Sequence, residues 1–292
     1  MASPYPVNVE INEKNLLKFI RVFRLAQGKI ISEIEGATDF GVANRKALLA
    51  QIDNILEELQ IEAEGIAQKQ LPLYYEQGAK EAIRQLNFVG AKVGVASGFN
   101  RIHKQAILNL VDETAKGFAE SITGVKRNTR NLLGKAVRKE ITQKLAEGKI
   151  SGDALRSVKR EIIGVMKERG IVSLIDKGGR KWELDRYTEM LIRTKSVEAR
   201  NRGLVNRVIE NGYDLVQVSD HMGECELCRP WEGKILSVTG KTKGYSTLDQ
   251  AESEGLFHPN CRHAINVLIP ELAKRTKAYD YKTGKYAWQW LY

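Results

Sequence analysis

Gly170-Ile171-Val172-Ser173-Leu174-Ile175-Asp176-Lys177-Gly178-Gly179-Arg180-Lys181-Trp182 is the stretch at which the texture of the chain changes. Ile171 to Ile175 is short, apolar and β-branched, which suits a strand. Asp176-Lys177-Gly178-Gly179 supplies the residues that tolerate left-handed turn geometry, so Arg180 to Leu184 reads as the return strand of a hairpin. Downstream, Asp185 is the expected cap of a long helix reaching about Asn211, with Met190, Leu191, Val197, Leu204, Val205 and Val208 as its apolar face. Gly212 is its expected stop. Leu215 to Val218, Lys234 to Ser237 and Ala264 to Ile269 then read as strands. This half of the chain predicts a compact α+β unit.

Upstream the pattern is helical throughout. Leu16, Leu17, Ile20, Phe23, Ile30, Ile31 and Ile34 recur at helical spacing over residues 11 to 35. Residues 44 to 69 repeat the pattern with Leu48, Ile52, Ile55, Leu56 and Leu59, after a cap at Asn44. Pro72 is expected to interrupt, because proline removes a helical donor and clashes with the preceding turn. Leu73 to Leu86 then resumes as a helix. The glycine-rich residues 88 to 100 form a loop or a closely packed helix, and residues 104 to 123 are helical again. Two further helices follow: one carries Leu132, Leu133, Val137, Ile141 and Leu145, the other runs from a Ser151 cap to Gly170. The expected architecture is therefore an elongated, mostly α-helical part over residues 1–169. A small α+β domain over 170–270 and a basic, aromatic tail over 271–292 complete it.

The chain has 292 residues and a formal net charge of +10, concentrated in two places. Residues 126 to 169 hold 13 Lys and Arg against 5 Asp and Glu, and residues 271 to 292 hold 5 against 2. The rest is close to neutral. A focused positive field suits a polyanion. Lys126, Arg127, Arg130, Lys135, Arg138, Lys139, Lys159 and Arg160 are the candidate contacts to nucleic acid, which would be bound without sequence preference. The alternative is a solvated basic helix face. No apolar run is long enough to span a bilayer. Met1-Ala2-Ser3-Pro4-Tyr5-Pro6 lacks the pattern of a secretory signal, so synthesis in a cytoplasm is expected.

One constellation carries chemistry. All 3 cysteines and 3 of the 4 histidines lie between residues 221 and 263. Cys225 and Cys228 form a C-x-x-C pair, and His258, Cys261 and His263 follow in His-Pro-Asn-Cys-Arg-His. Paired thiolates and an imidazole–thiolate pair from a later loop are the ligand set of tetrahedral zinc. The odd cysteine count argues against a disulfide framework. Four of the five residues Cys225, Cys228, His258, Cys261 and His263 are the expected ligands. The first four are the leading set, and His263 is able to replace His258. A closed four-ligand set points to a structural ion. A reduced cysteine cluster and a redox pair are the alternatives. The chain lacks G-x-x-x-x-G-K-[ST], G-x-S-x-G and H-E-x-x-H.

The order of the hairpin stretch, Arg186-Tyr187, Met190, Arg193-Thr194, the C-x-x-C pair and His258-Pro259-Asn260-Cys261-Arg262 resembles the phage head morphogenesis family, the Mu F-like minor head proteins and related phage minor capsid proteins. His263 stands where that family's motif usually ends in cysteine. The resemblance implies a virion component present in few copies, at the portal vertex inside the head. It implies work in head morphogenesis and DNA delivery rather than catalysis. The portal protein and phage DNA would be its partners, with the major capsid or scaffolding protein as further candidates. The competing reading is a metal-dependent nuclease or a toxin-related transferase.

Overall fold

A computed structural model describes residues 13–38, 42–94, 98–147, 156–157, 159–160, 162–164, 174–175, 181–182, 184–220, 226–270, 274–280 and 285–291. The helices are α1 (Glu13–Gly36), α2 (Val42–Phe88), α3 (Arg101–Glu147), α4 (Leu184–Glu210) and α5 (Leu248–Ser253). The strands are β1 (Leu174–Ile175), β2 (Lys181–Trp182), β3 (Leu215–Val218), β4 (Ile235–Ser237), β5 (Ser246–Thr247), β6 (Ile265–Val267), β7 (Lys274–Asp280) and β8 (Lys285–Leu291). The fold class is the expected one: a helical N-terminal part and a small mixed-sheet α+β domain towards the C-terminus. The chain gathers into two compact units, each assembled from separate stretches.

One unit takes in Asn12–Lys69 and Val111–Ile192. Its core follows the helical spacing of the sequence. Leu16, Phe19, Ile20, Phe23, Ile30 and Ile34 of α1 are buried, while Leu17 is 59% exposed. The rings of Phe19 and Phe23 each lie 6.0 Å from Phe118 of α3, within the range where aromatic pairs attract. Lys29–Glu58 at 3.3 Å and Lys126–Glu57 at 2.9 Å flank this core.

Two expected breaks are absent. Pro72 lies inside α2 and does not end it. Leu48, Ile52, Leu56, Leu59, Ala63, Ala67, Leu71, Tyr75, Ala79, Ala82 and Leu86 are buried in steps of three or four residues, so one apolar stripe runs through the proline. The cost of its missing N–H is offset by packing on both sides. The helix expected over 104–123 and the one expected to carry Leu132 to Leu145 are likewise a single helix, α3. Asp185 sits in the first turn of α4, which begins at Leu184, instead of preceding it. The expected cap at Ser151 and stop at Gly170 lie outside the described residues. Residues 162 to 164 between them are helical, with Ile162 buried.

The other unit takes in Gln70–Leu110 and Arg193–Tyr292. Here α2 and α4 cross at two glycines. A β-carbon on Gly78 would lie 1.9 Å from the Arg200 carbonyl oxygen, and one on Gly203 would lie 2.0 Å from that of Tyr75. Only glycine permits backbones this close. At the end of α4 Gly212 adopts φ +80°. Its N–H donates to Ile209 O, and that of Tyr213 to Val208 O. This is the Schellman pattern expected of a C-terminal glycine.

The chain then enters a sheet of order β5-β4-β3-β6, in which β3 is antiparallel to both neighbours and β5 is parallel to β4. Val216, Val218, Leu236, Ile265 and Val267 pack with Leu86 of α2 and with Leu204 and Val208 of α4. Gln85 of α2 is buried and covers the outer edge of β6. It accepts from the Val267 N–H at 2.7 Å and donates to Asn266 Oδ1 at 3.2 Å, satisfying an edge group that would otherwise be open. The expected hairpin is formed by β1 and β2, with Leu174 opposite Trp182. The stretch read as a tail contains a second antiparallel pair, β7 and β8, with Tyr279 opposite Tyr286 and Arg275 opposite Trp290.

Candidate metal centre

Two short turns bring the cysteines together. Cys228 precedes a single 3₁₀ turn, Arg229–Trp231, with Pro230 near its start. The Trp231 N–H donates to Cys228 O at 2.8 Å, and the Trp231 ring is buried. That anchor holds Cys228 fully buried among the core residues. The second turn explains the His-Pro-Asn-Cys motif. The Cys261 N–H donates to His258 O at 2.9 Å, and Asn260 has φ +65°. Proline at the second position and a left-handed asparagine at the third are the signature of a type II turn. The turn delivers Cys261 inward, and His263 follows at the entry to β6.

Cys228 Sγ and Cys261 Sγ lie 3.6 Å apart, and Cys261 Sγ lies 3.2 Å from His263 Nδ1. All three residues are buried, and their ligand atoms lie within 4.8 Å of one another. Two sulfurs at ~2.3 Å from a tetrahedral zinc would be separated by about 3.8 Å. The sulfur spacing is thus close to that of a metal pair and far beyond a disulfide bond, at ~2.05 Å.

Glu232 completes the arrangement. Its side chain is 1% exposed, and its Oε1 lies 2.8 Å from His263 Nε2. A buried carboxylate is costly unless it is hydrogen-bonded. A neutral His263 with its proton on Nε2 satisfies Glu232 and leaves the Nδ1 lone pair facing the sulfurs. This is the carboxylate–histidine arrangement that orients metal-ligating imidazoles. Nothing in the sequence singles out Glu232 beyond its place four residues after Cys228.

The five expected ligands are thus distributed unevenly. Cys228, Cys261 and His263 converge. His258 is not part of that group, and its Nδ1 lies 2.7 Å from Pro259 O. Cys225 lies outside the described residues, as does His221. The expected nucleic-acid contacts are also mixed. Lys126 pairs with Glu57, Arg130 pairs with Asp53 at 2.6 Å, and Lys159 donates to Glu35 O at 2.8 Å. Arg127, Lys135 and Arg160 are exposed. Arg138 and Lys139 belong to chain stretches whose side chains lie outside the described set.

The fourth histidine, His103, is wholly buried in a second polar cluster. Its Nδ1 lies 2.9 Å from Tyr75 Oη and its Nε2 3.2 Å from Glu210 Oε2. Asn206 Nδ2 donates to the same tyrosine oxygen at 2.6 Å. Burial raises the Tyr75 phenol above its ordinary pKa, against the hydrogen bond from Asn206. Tyrosine, histidine and glutamate in line resemble an acid–base relay, yet Tyr75 is 0% exposed and no substrate reaches it. The cluster ties α2, α3 and α4 together.

The family described as phage minor capsid protein 2 has a model that matches residues 38–287. The chain belongs to that family. Among curated proteins, this phage minor capsid protein is 26% identical over 117 residues to a protein named "Structural protein" from Lactococcus phage LL-H. The alignment covers 37% of this chain and 32% of that protein, so the chain spans about a third of the length of its relative. No solved structure matches. The family is one of virion structural proteins, in agreement with the resemblance read from the cysteine and histidine motifs. Among the described residues, no helix of this minor capsid protein is long and apolar enough to cross a membrane.

Proposed function

We propose that the chain is a non-enzymatic minor capsid protein of the portal vertex, active in head morphogenesis and DNA delivery, whose α+β domain is fastened by a structural zinc ion. The observation that carries the zinc reading is the buried Cys228–Cys261–His263 group with Glu232 behind the imidazole. Cys225, three residues before Cys228, is the fourth ligand in this reading, and His258 stays outside. Two thiolates, an imidazole and a third thiolate close a tetrahedral site and leave no position for substrate. In this arrangement the ion joins the 3₁₀ turn after Cys228 to the turn before β6, so that metal affinity becomes folding energy.

The portal assignment rests on the family, and the DNA assignment on the exposed Arg127, Lys135 and Arg160. The ion pairs of Lys126 and Arg130 reduce the net charge offered there, so binding to DNA would be weak and strongly salt-dependent. Cross-linking mass spectrometry of purified virions tests the placement. Links from the helical residues to the portal protein are expected, and links confined to tail proteins would overturn the portal assignment. Duplex DNA titrated at increasing salt tests the other part, where affinity indifferent to salt would contradict the reading.

A further inference from the structure

Along the chain, Cys228 is paired with Cys225 in a C-x-x-C. In the fold it is paired with Cys261. The two sulfurs lie 3.6 Å apart although the residues are 33 positions apart in sequence. Each cysteine is held at the end of a turn by a backbone hydrogen bond, Trp231 N–H to Cys228 O and Cys261 N–H to His258 O. A disulfide sets its sulfurs at ~2.05 Å, so an approach of about 1.5 Å separates this pair from a covalent link. Neither cysteine lies within a strand. Rotation about a Cα–Cβ bond therefore moves the sulfur without breaking a sheet ladder.

Access to the two is unequal. Cys228 is wholly buried, whereas Cys261 is 8% exposed and lines a cleft of about 800 Å³ together with Thr194, Leu256 and His258. A water-sized oxidant entering that cleft meets Cys261 first. Cys228 stands behind it, in the place of a resolving cysteine.

We infer that Cys228 and Cys261 form an oxidative modification site, which hydrogen peroxide converts to a disulfide joining the same two turns. In the first step the Cys261 sulfur attacks one peroxide oxygen. The O–O bond breaks, and the leaving hydroxide takes up the thiol proton to depart as water. Cys261 is then a sulfenic acid. In the second step the Cys228 sulfur attacks the Cys261 sulfur, the S–O bond breaks, and the hydroxide leaves as water with the Cys228 proton. The two thiols give up two electrons, and one peroxide becomes two waters. The site goes beyond the zinc reading and does not need it. Metals are held by thiolate sulfur, so the linked form loses the metal ligands but keeps the turn after Cys228 fastened to the turn before β6.

The test treats the full chain with a small molar excess of hydrogen peroxide, as purified and after stripping by chelator, and maps the disulfides by mass spectrometry of a non-reduced digest. A Cys228–Cys261 link is expected in both samples, reversed by dithiothreitol. Any metal held at the start should be lost in step with it. The same oxidation in guanidinium chloride is the control for geometry. There chain proximity alone decides, and the shorter Cys225–Cys228 loop should dominate. A native map dominated by Cys225–Cys228, Cys261 oxidised to sulfinic acid with Cys228 still reduced, no link at peroxide concentrations that link the denatured chain, or a Cys228–Cys261 link equally abundant in the denatured chain would each overturn the assignment. Metal content before oxidation reports on the zinc reading separately, because the link is expected with or without it.

Discussion

Glu232 decides how His263 is used. By holding Nε2 at 2.8 Å it fixes the tautomer and ring orientation that present Nδ1 to the sulfurs. Glu232→Gln keeps the shape but weakens the hold, and should lower zinc affinity by about 10- to 100-fold in competition with a chromogenic chelator. Unchanged affinity would mean that His263 is not a ligand. Asp214 plays a different part, gathering the loop after β4. It accepts from Ser237 Oγ at 2.6 Å, from the Thr239 N–H at 2.8 Å and from Thr242 Oγ1 at 2.6 Å. Desolvation pushes its carboxyl up, but the hydrogen bonds from Ser237, Thr239 and Thr242 outweigh it and hold the group well below the ordinary carboxylate range. A depressed carboxylate stabilises the fold above its unfolded pKa, ~3.9, and that contribution is lost as pH falls through the folded value. The difference in melting temperature between wild type and Asp214→Asn should therefore be largest near neutral pH and shrink below about pH 4. A difference independent of pH would contradict this. The candidate ligand types stand out in the sequence because C-x-x-C and His-Pro-Asn-Cys-Arg-His are spaced as a metal site would require. The choice between His258 and His263 was not legible. It depends on a type II turn that delivers Cys261 inward, while the His258 ring lies against Pro259 O. Glu232 was invisible, since a glutamate after Trp231 reads as surface until its burial is known.

At the scale of elements, the glycine crossing of α2 and α4 holds the sheet-bearing unit together. Gly78→Ala would drive a β-carbon into the Arg200 carbonyl, which is backbone and cannot swing aside. The helices would have to separate, at a cost above about 3 kcal/mol. Gly65→Ala, also within α2, meets nothing within 4 Å and should stabilise by up to about 1 kcal/mol. Chemical denaturation of the two variants separates the effects, and equal stabilities would refute the close crossing. Sequence periodicity found most of the helices and the three longer-range strands, because apolar residues at steps of three, four or two survive any tertiary arrangement. It misplaced the break at Pro72, because an unbroken buried stripe from Leu48 to Leu86 overrides one missing donor. It also passed over the hairpin of β7 and β8. The alternation of Tyr286, Trp288 and Trp290 is visible there, but in sequence it reads only as part of a basic, aromatic tail.

At the scale of the whole molecule, each unit draws on stretches distant in sequence, which no local pattern reveals. Among the described residues, the strands all lie after residue 170. The unit that carries the sheet also recruits Gln70–Leu110, since Leu86 and Gln85 are needed to cover β6 and its neighbours. The candidate metal centre sits within this unit, where Cys228 and Cys261 belong to the same buried cluster as the sheet residues. Loss of the ion should therefore loosen the sheet and leave the Phe19–Phe23–Phe118 core formed. Elemental analysis of the full chain, purified without chelator, tests the central claim most directly. The account predicts about one zinc per chain in wild type, retained in His258→Ala and lost in Cys228→Ser. Absence of metal from the wild type, or retention in Cys228→Ser with loss in His258→Ala, would contradict it.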